Sequence, residues 1–122
     1  DKIVLFADDS KFVRKMAEDL FMQLGLKFRM YGNGQLLLDD LEKIDKDEIS
    51  LIITDLEMPI TGGREVITKI RENNEYKDIN IIVHTNMSND NMSDSLLDAG
   101  AQKIIGKINM LSLSEAINEL IT

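Results

Sequence analysis

Apolar residues follow two rhythms along this chain, and the rhythms alternate. Ile3-Val4-Leu5-Phe6, Ile49 with Leu51-Ile52-Ile53, and Ile79–His84 are short apolar runs without helical spacing. They predict buried strands. Lys27–Tyr31 is half polar and predicts an edge strand, and Lys103–Gly106 predicts a short fifth strand. Between these runs the spacing changes to three and four. Phe12, Val13, Met16, Ala17, Leu20, Phe21 and Leu24 form one helical stripe, with Ser10 as its cap and Gly25 as its end. Leu37, Leu38, Leu41 and Ile44 face inward in a helix over Gln35–Lys46, and Val66, Ile67 and Ile70 in one over Arg64–Asn73. Met92–Ala99 and Ser112–Ile121 predict two more helices, the last with Leu113, Ala116, Ile117, Leu120 and Ile121 inward. Gly32-Asn33-Gly34, and Pro59 followed by Gly62-Gly63, predict turns.

Five strands alternating with five helices imply an α/β fold: a parallel sheet covered on both faces, joined by right-handed crossovers. The 122 residues make one domain, 1–122, with no internal repeat, low-complexity tract or linker. The chain starts close to its first strand and stops within its last helix. It reads as one domain cut from something longer.

Composition narrows the function. Hydrophobic residues make up 43% of the chain, enough for a packed core. No apolar run approaches a membrane span, so no membrane insertion is expected, and the first residues lack a signal-peptide layout. The absence of cysteine excludes disulfides, thiolate metal sites and cysteine nucleophiles, and suits a cytoplasmic location. A net charge of −8 argues against nucleic acid as a partner. It suits divalent cations or basic partners, although simple solubility accounts for most of it. One histidine makes a histidine-based zinc site improbable.

Polar groups gather at the strand ends: Asp8-Asp9, Asp55, Thr85 and Lys107. In a parallel sheet these ends share one edge, where ligands of open α/β sheets bind. Three carboxylates in one place repel, so one must take a proton or a cation must bind. Hard oxygen donors without His or Cys favour Mg²⁺. A lysine and a hydroxyl beside such a cation fit a phosphate-bearing ligand. A carboxylate can itself attack a phosphoryl group, giving an aspartyl phosphate. Each residue alone has a blander reading: Asp55 and Thr85 as turn residues, Asp8-Asp9 as caps, Lys107 as a surface lysine. His84 reads as structural, aimed by alternation away from Thr85's side, and Met16, Met22 and Met92 as packing residues.

Taken in order, Ala7-Asp8-Asp9-Ser10, Thr54-Asp55-Leu56-Glu57-Met58-Pro59 with Gly63, His84-Thr85, Gly100-Ala101 and Lys107 resemble a response-regulator receiver domain of bacterial two-component signalling. The resemblance covers nearly the whole chain. It implies the flavodoxin-like doubly wound five-stranded sheet of order 2-1-3-4-5, as in CheY-like proteins. It implies Asp55 as phosphoryl acceptor from a CheA-like histidine kinase. Asp9 becomes a direct Mg²⁺ ligand, Asp8 a ligand through water and the backbone carbonyl of Glu57 a further ligand. Thr85 and Lys107 contact the phosphoryl oxygens. His84-Thr85 with Asp55–Pro59 is most similar to the receivers of CheV-type chemotaxis proteins, in which a CheW-like coupling domain comes first.

The chain departs from the family at four places. Lys107 is followed by Ile108 instead of proline, and a trans bond is expected there. Ile104 stands where an aromatic ring usually sits three residues before the lysine, which predicts a weak or backbone-borne output change. Asn86 replaces a small residue and is expected to narrow access to the phosphoryl group. Met87 is expected to be exposed and to tune water access, and Glu57 to tune the mouth of the site. Gly62-Gly63 replaces Asp-Gly. Other readings remain open: a stand-alone regulator or phosphate sink, a protein-binding pseudo-receiver, and an aspartate-nucleophile phosphohydrolase. The phosphohydrolase would want its nucleophile on the first strand, and a cap.

Overall fold

A computed structural model describes residues 2–86, 90–107 and 110–121. The strands are β1 (Ile3–Ala7), β2 (Lys27–Tyr31), β3 (Ile49–Thr54), β4 (Ile81–Thr85) and β5 (Lys103–Gly106). The helices are α1 (Lys11–Gln23), α2 (Gly34–Leu41), α3 (Gly63–Glu72), α4 (Asp90–Ala99) and α5 (Met110–Ile121). All strand pairs are parallel, in the order β2-β1-β3-β4-β5 expected from the resemblance.

Alternation within the strands splits the core into two layers. Leu5, Ile52, Ile81 and Val83 face Leu37, Leu41, Val66, Ile67, Ile70 and Leu96 of α2, α3 and α4. Val4, Phe6, Leu51, Ile53 and Ile82 face Val13, Ala17, Phe21, Leu113, Ala116 and Ile117 of α1 and α5. Phe6 and Phe21 meet edge to face at 5.7 Å, a geometry that adds to their burial.

The expected elements shift at their ends. The helix expected over Gln35–Lys46 stops at Leu41. Lys43 N–H then bonds Asp40 O at 2.9 Å and Ile44 N–H bonds Leu41 O at 3.2 Å, the tighter three-residue pattern of a helix end. Asp45 caps a separate 3₁₀ turn over Lys46–Glu48. Ile44 is still buried. β4 begins at Ile81 rather than Ile79, while α4 and α5 begin earlier than expected. Phe12, placed inward by spacing, is 65% exposed: it lies off the buried line Val13–Ala17–Phe21. Met22 is also exposed, although Met16 and Met92 are half-buried as packing residues should be.

Arg71, near the end of α3, ties the sheet edge opposite the strand ends. Its guanidinium donates to the carbonyls of Gly100 (2.9 and 3.0 Å), Tyr76 (3.0 Å), Lys77 (3.2 Å) and Ile79 (2.7 Å), and to Gln102 Oε1 (3.1 Å). Gly100 has φ +127°, and a Cβ there would come within 2.6 Å of Arg71 Cγ. Only glycine suits both conditions.

The loop between β3 and α3 holds a strained residue. Thr61 N–H bonds Pro59 O at 2.8 Å, closing a three-residue turn around Ile60, whose φ is +70°. A β-branched residue is disfavoured there. Ile60 is 80% exposed, so its side chain contributes little packing. Ile60→Gly is therefore expected to stabilise the fold by about 0.5–1 kcal/mol, the strain relieved less the entropy glycine loses. Chemical denaturation measures it, and a loss of stability would show that Ile60 packs in solution.

Candidate functional site

At the carboxyl edge of the sheet, pairing runs one residue past β1. Asp8 N–H bonds Tyr31 O at 3.0 Å and Asp55 N–H bonds Ala7 O at 2.8 Å. This draws both acids into the protein: Asp8 is 0% and Asp55 5% exposed. Asp8 Oδ1 accepts from Ser10 N–H at 2.9 Å, and Ser10 Oγ accepts from Val13 N–H at 3.2 Å, capping α1 as expected. Arg14 Nη1 donates to the Asp8 carbonyl at 2.7 Å. Asp55 Oδ1 accepts from Leu56 N–H at 2.8 Å. Asp9 stands exposed between Asp8 and the helix.

Asp8, Asp9 and Asp55 each present a carboxylate oxygen within 4.8 Å of the others. Lys107 reaches in from the end of β5. Its Nζ lies 2.7 Å from Asp8 Oδ2 and 3.1 Å from Asp55 Oδ2. Its backbone N–H bonds Thr85 O at 2.9 Å, so the ends of β4 and β5 are held together. Burial raises the Asp55 pKa, the charge of Asp8 adds to that, and Lys107 and the Leu56 N–H offset only part. Burial by itself would lower the Lys107 pKa, but Asp8 and Asp55 outweigh it and raise it. The lysine therefore stays charged, one ammonium among three carboxylates. The remaining negative charge, carried on oxygen alone, fits a hard divalent cation.

Thr85 is buried at the end of β4. Ile104 is half-buried, pairs with Val83 and packs against the α2–α4 layer. Val83 and Thr85 share a face, so Ile104 sits one pleat behind the threonine. Asn86 and Glu57 are exposed at the mouth. Met87 and the Lys107-Ile108 bond involve residues outside those described. Asp8, Asp9, Asp55 and Lys107 are thus brought together, with Thr85 tied to the group through the lysine backbone. Sequence reasoning passed over Arg14. The available signal was an arginine one turn into a helix that follows an acidic pair.

A family model, the response regulator receiver domain, matches residues 4–118. The chain is 34% identical over 123 residues to chemotaxis protein CheV1 of Helicobacter pylori, covering 99% of this chain and 38% of that protein. It is 30% identical over 122 residues to CheV2 of the same organism, covering 99% of this chain and 39% of that protein. The chain thus spans about two fifths of the length of these curated relatives. Among solved structures, a chain of the CheX-CheY-BeF₃-Mg²⁺ complex from Borrelia burgdorferi has a TM-score of 0.90 at 20% identity, covering 99% of this chain and 90% of that one. CheY4 of Vibrio cholerae has a TM-score of 0.88 at 23% identity, covering 98% of both chains. At these identities the two structures speak for the fold.

Proposed function

The chain belongs to the response regulator receiver domain family, and we propose from this that it accepts a phosphoryl group on Asp55 in a Mg²⁺-dependent reaction. Receiver domains of this kind serve two-component and chemotaxis signalling. The observation that carries the proposal is Lys107 Nζ between Asp8 Oδ2 and Asp55 Oδ2. It places the cation of the site against the one carboxylate that ends the central strand.

In this reading an Asp55 oxygen attacks phosphorus. A P–O bond forms, and the bond from phosphorus to the donor breaks with its electron pair going to the donor. The donor is the phosphorylated imidazole of a CheA-like histidine kinase. Asp8, Asp9, Asp55 and the Glu57 carbonyl would hold Mg²⁺, which would supply charge neutralisation as two anions approach. Lys107 and the Thr85 hydroxyl bind the phosphoryl oxygens. Ile104 behind Thr85 limits the packing change that follows, while Asn86 and Glu57 tune entry at the mouth. Uptake and loss of the phosphoryl group are self-catalysed, so the domain is a switch rather than an enzyme with turnover on a separate substrate.

The share of the CheV relatives that is matched supports a further assignment. This single domain is the receiver of a chemotaxis coupling protein, working in the cytoplasm beside an N-terminal CheW-like domain. No helix among the described residues is long and apolar enough to cross a membrane.

Incubation with a small acyl phosphate and Mg²⁺ tests the core of this reading. Mass spectrometry should find one added phosphoryl group, located on Asp55. No gain, or donor hydrolysis with nothing retained on the protein, would contradict it. Metal binding has its own readout. A cation that binds only the native state stabilises it, by about 1.4 kcal/mol at ten times Kd, or about 4–8 °C for a domain of this size. The melting temperature should rise with Mg²⁺, and the rise should shrink in Asp9→Ala. Identical Mg²⁺ responses in the two chains would remove Asp9 from the metal site.

A further inference from the structure

A histidine that no step above uses lies directly beneath the site. His84 is 0% exposed, and neither ring nitrogen has a hydrogen-bond partner among the described residues. Burial pushes its pKa down to about 4, with Lys107 adding to the fall and Asp8 opposing it. The ring is neutral at ordinary pH, with one N–H donor and one bare acceptor. Leucine or methionine would fill the same volume without stranding either group, so two buried polar atoms left unpaired call for a reason.

Register shows what the ring sits beside. Ala7, Thr54 and Val83 lie in one row across β1, β3 and β4. One residue further along come Asp8, Asp55 and His84, and alternation puts all three on the α1–α5 side of the sheet. His84 also leans across the sheet. Its ring centre lies 6.2 Å from that of Phe6 on β1, although β3 separates the two strands and neighbouring strands run about 4.8 Å apart. The imidazole therefore lies over β3, below the acids and towards the strand that ends in Asp8. Asp8 Oδ2 is itself fully buried, and among the described residues only the Lys107 ammonium holds it.

In the proposed reaction Lys107 must turn from the acids to the phosphoryl oxygens. That would take from the buried Asp8 Oδ2 its one protein donor among the described residues. We propose that His84 is a positioning residue of the acceptor site: its ring N–H takes over Asp8 Oδ2 when Lys107 leaves, so that Asp8 keeps its aim at the metal. A ring N–H without a hydrogen-bond partner in the resting protein thus takes the place of the ammonium that held Asp8 Oδ2. The inference rests on the acceptor reading and adds to it a residue that touches neither phosphate nor metal.

The chain has one histidine, so its imidazole resonances need no assignment. In the full chain, ring ¹⁵N and ¹H signals are recorded alone, with Mg²⁺, and with Mg²⁺ plus beryllofluoride. The last condition should shift the N–H proton downfield and slow its exchange with water. His84→Leu should melt at or above the parent temperature without metal. It should nevertheless take up phosphoryl groups about tenfold more slowly, the factor one hydrogen bond to a charged acceptor is worth. His84→Gln, which keeps an N–H, should recover most of that rate. Unmoved imidazole signals, while the amides of Asp55 and Thr85 report a loaded site, would overturn the role of His84 and leave the acceptor reading standing. So would uptake by His84→Leu at the parent rate. If neither the amides nor the mass change on loading the parent chain, the acceptor reading falls and this inference with it. Should His84→Leu fail to fold, the parent chain's imidazole signals decide alone.

Discussion

Asp55→Asn is expected to abolish phosphoryl uptake from a small acyl phosphate while melting at or above the parent temperature. The first half follows from chemistry. An amide oxygen is a far poorer nucleophile than a carboxylate, and no other acid ends the central strand. The second half follows from the site. Asparagine keeps an oxygen for the Leu56 N–H that Asp55 Oδ1 now accepts at 2.8 Å. Lys107 keeps Asp8 at 2.7 Å. One of three crowded charges disappears. The raised pKa of Asp55 carries the same message, because folding disfavours its ionised form. A carboxyl with a raised folded-state pKa lends stability as pH falls through that value and withdraws it as pH rises. At neutral pH the ionised Asp55 is therefore a cost, and the Asn chain should lack this acid-side gain. Mass spectrometry and melting curves across acidic pH read both halves. Equal labelling of the Asn chain would move the acceptor elsewhere, and a clearly lower melting point would mean the acid is integral to the fold.

Gly63→Ala is expected to be the most damaging small change in the chain. A methyl group there would overlap the Asp55 carbonyl oxygen and lie 3.0 Å from Leu56 Cα. Both obstacles are backbone, so no side chain can rotate away. The Gly63 N–H also donates to Leu56 O at 2.8 Å, a bond that any shift of α3 would stretch. Overpacking of this kind costs about 3 kcal/mol, or roughly 10–15 °C in a domain of this size. Because the clash falls on the acceptor's own carbonyl, uptake should slow as well. Gly62→Ala serves as the control: its nearest contact, Leu56 O at 3.0 Å, leaves more room. Equal stability of the two variants would mean that the loop relaxes freely.

Much of this was legible because strand burial and strand-end chemistry are local signals. Lys27–Tyr31 was found to the residue, since its alternation and its flanking turns coincide. Asp8, Asp9, Asp55 and Lys107 could be grouped because every parallel strand ends on one edge. The pairing of Lys107 with both Asp8 and Asp55 could not be read, since it depends on which way a long side chain reaches across three strands. Phe12 misled because a stripe of seven apolar residues is wider than the face α1 buries. The end of α2 was missed because Ile44 keeps its inward position after the helix has stopped. The Arg71 bonds were invisible for another reason: most of their acceptors are carbonyls, which every residue has. The position of His84 away from Thr85's side was legible from alternation. Its want of a partner was not.

Arg71 has one more consequence, and it is mechanical. Its bonds to Gly100 O fasten the rear of α4 to the end of α3. Ahead of that point α4 is seated by the fully buried Leu96, by Met92 packed against the same layer, and by Arg64 Nη1 on Ser95 Oγ at 2.9 Å. A helix fastened at its rear end in this way resists sliding along its axis. Any displacement of α4 is therefore expected to be a swing that grows towards Asp90, the end nearer Thr85. The pin thus fixes the axis of any such stroke, and its full amplitude falls beside the pocket while the far edge of the sheet stays still.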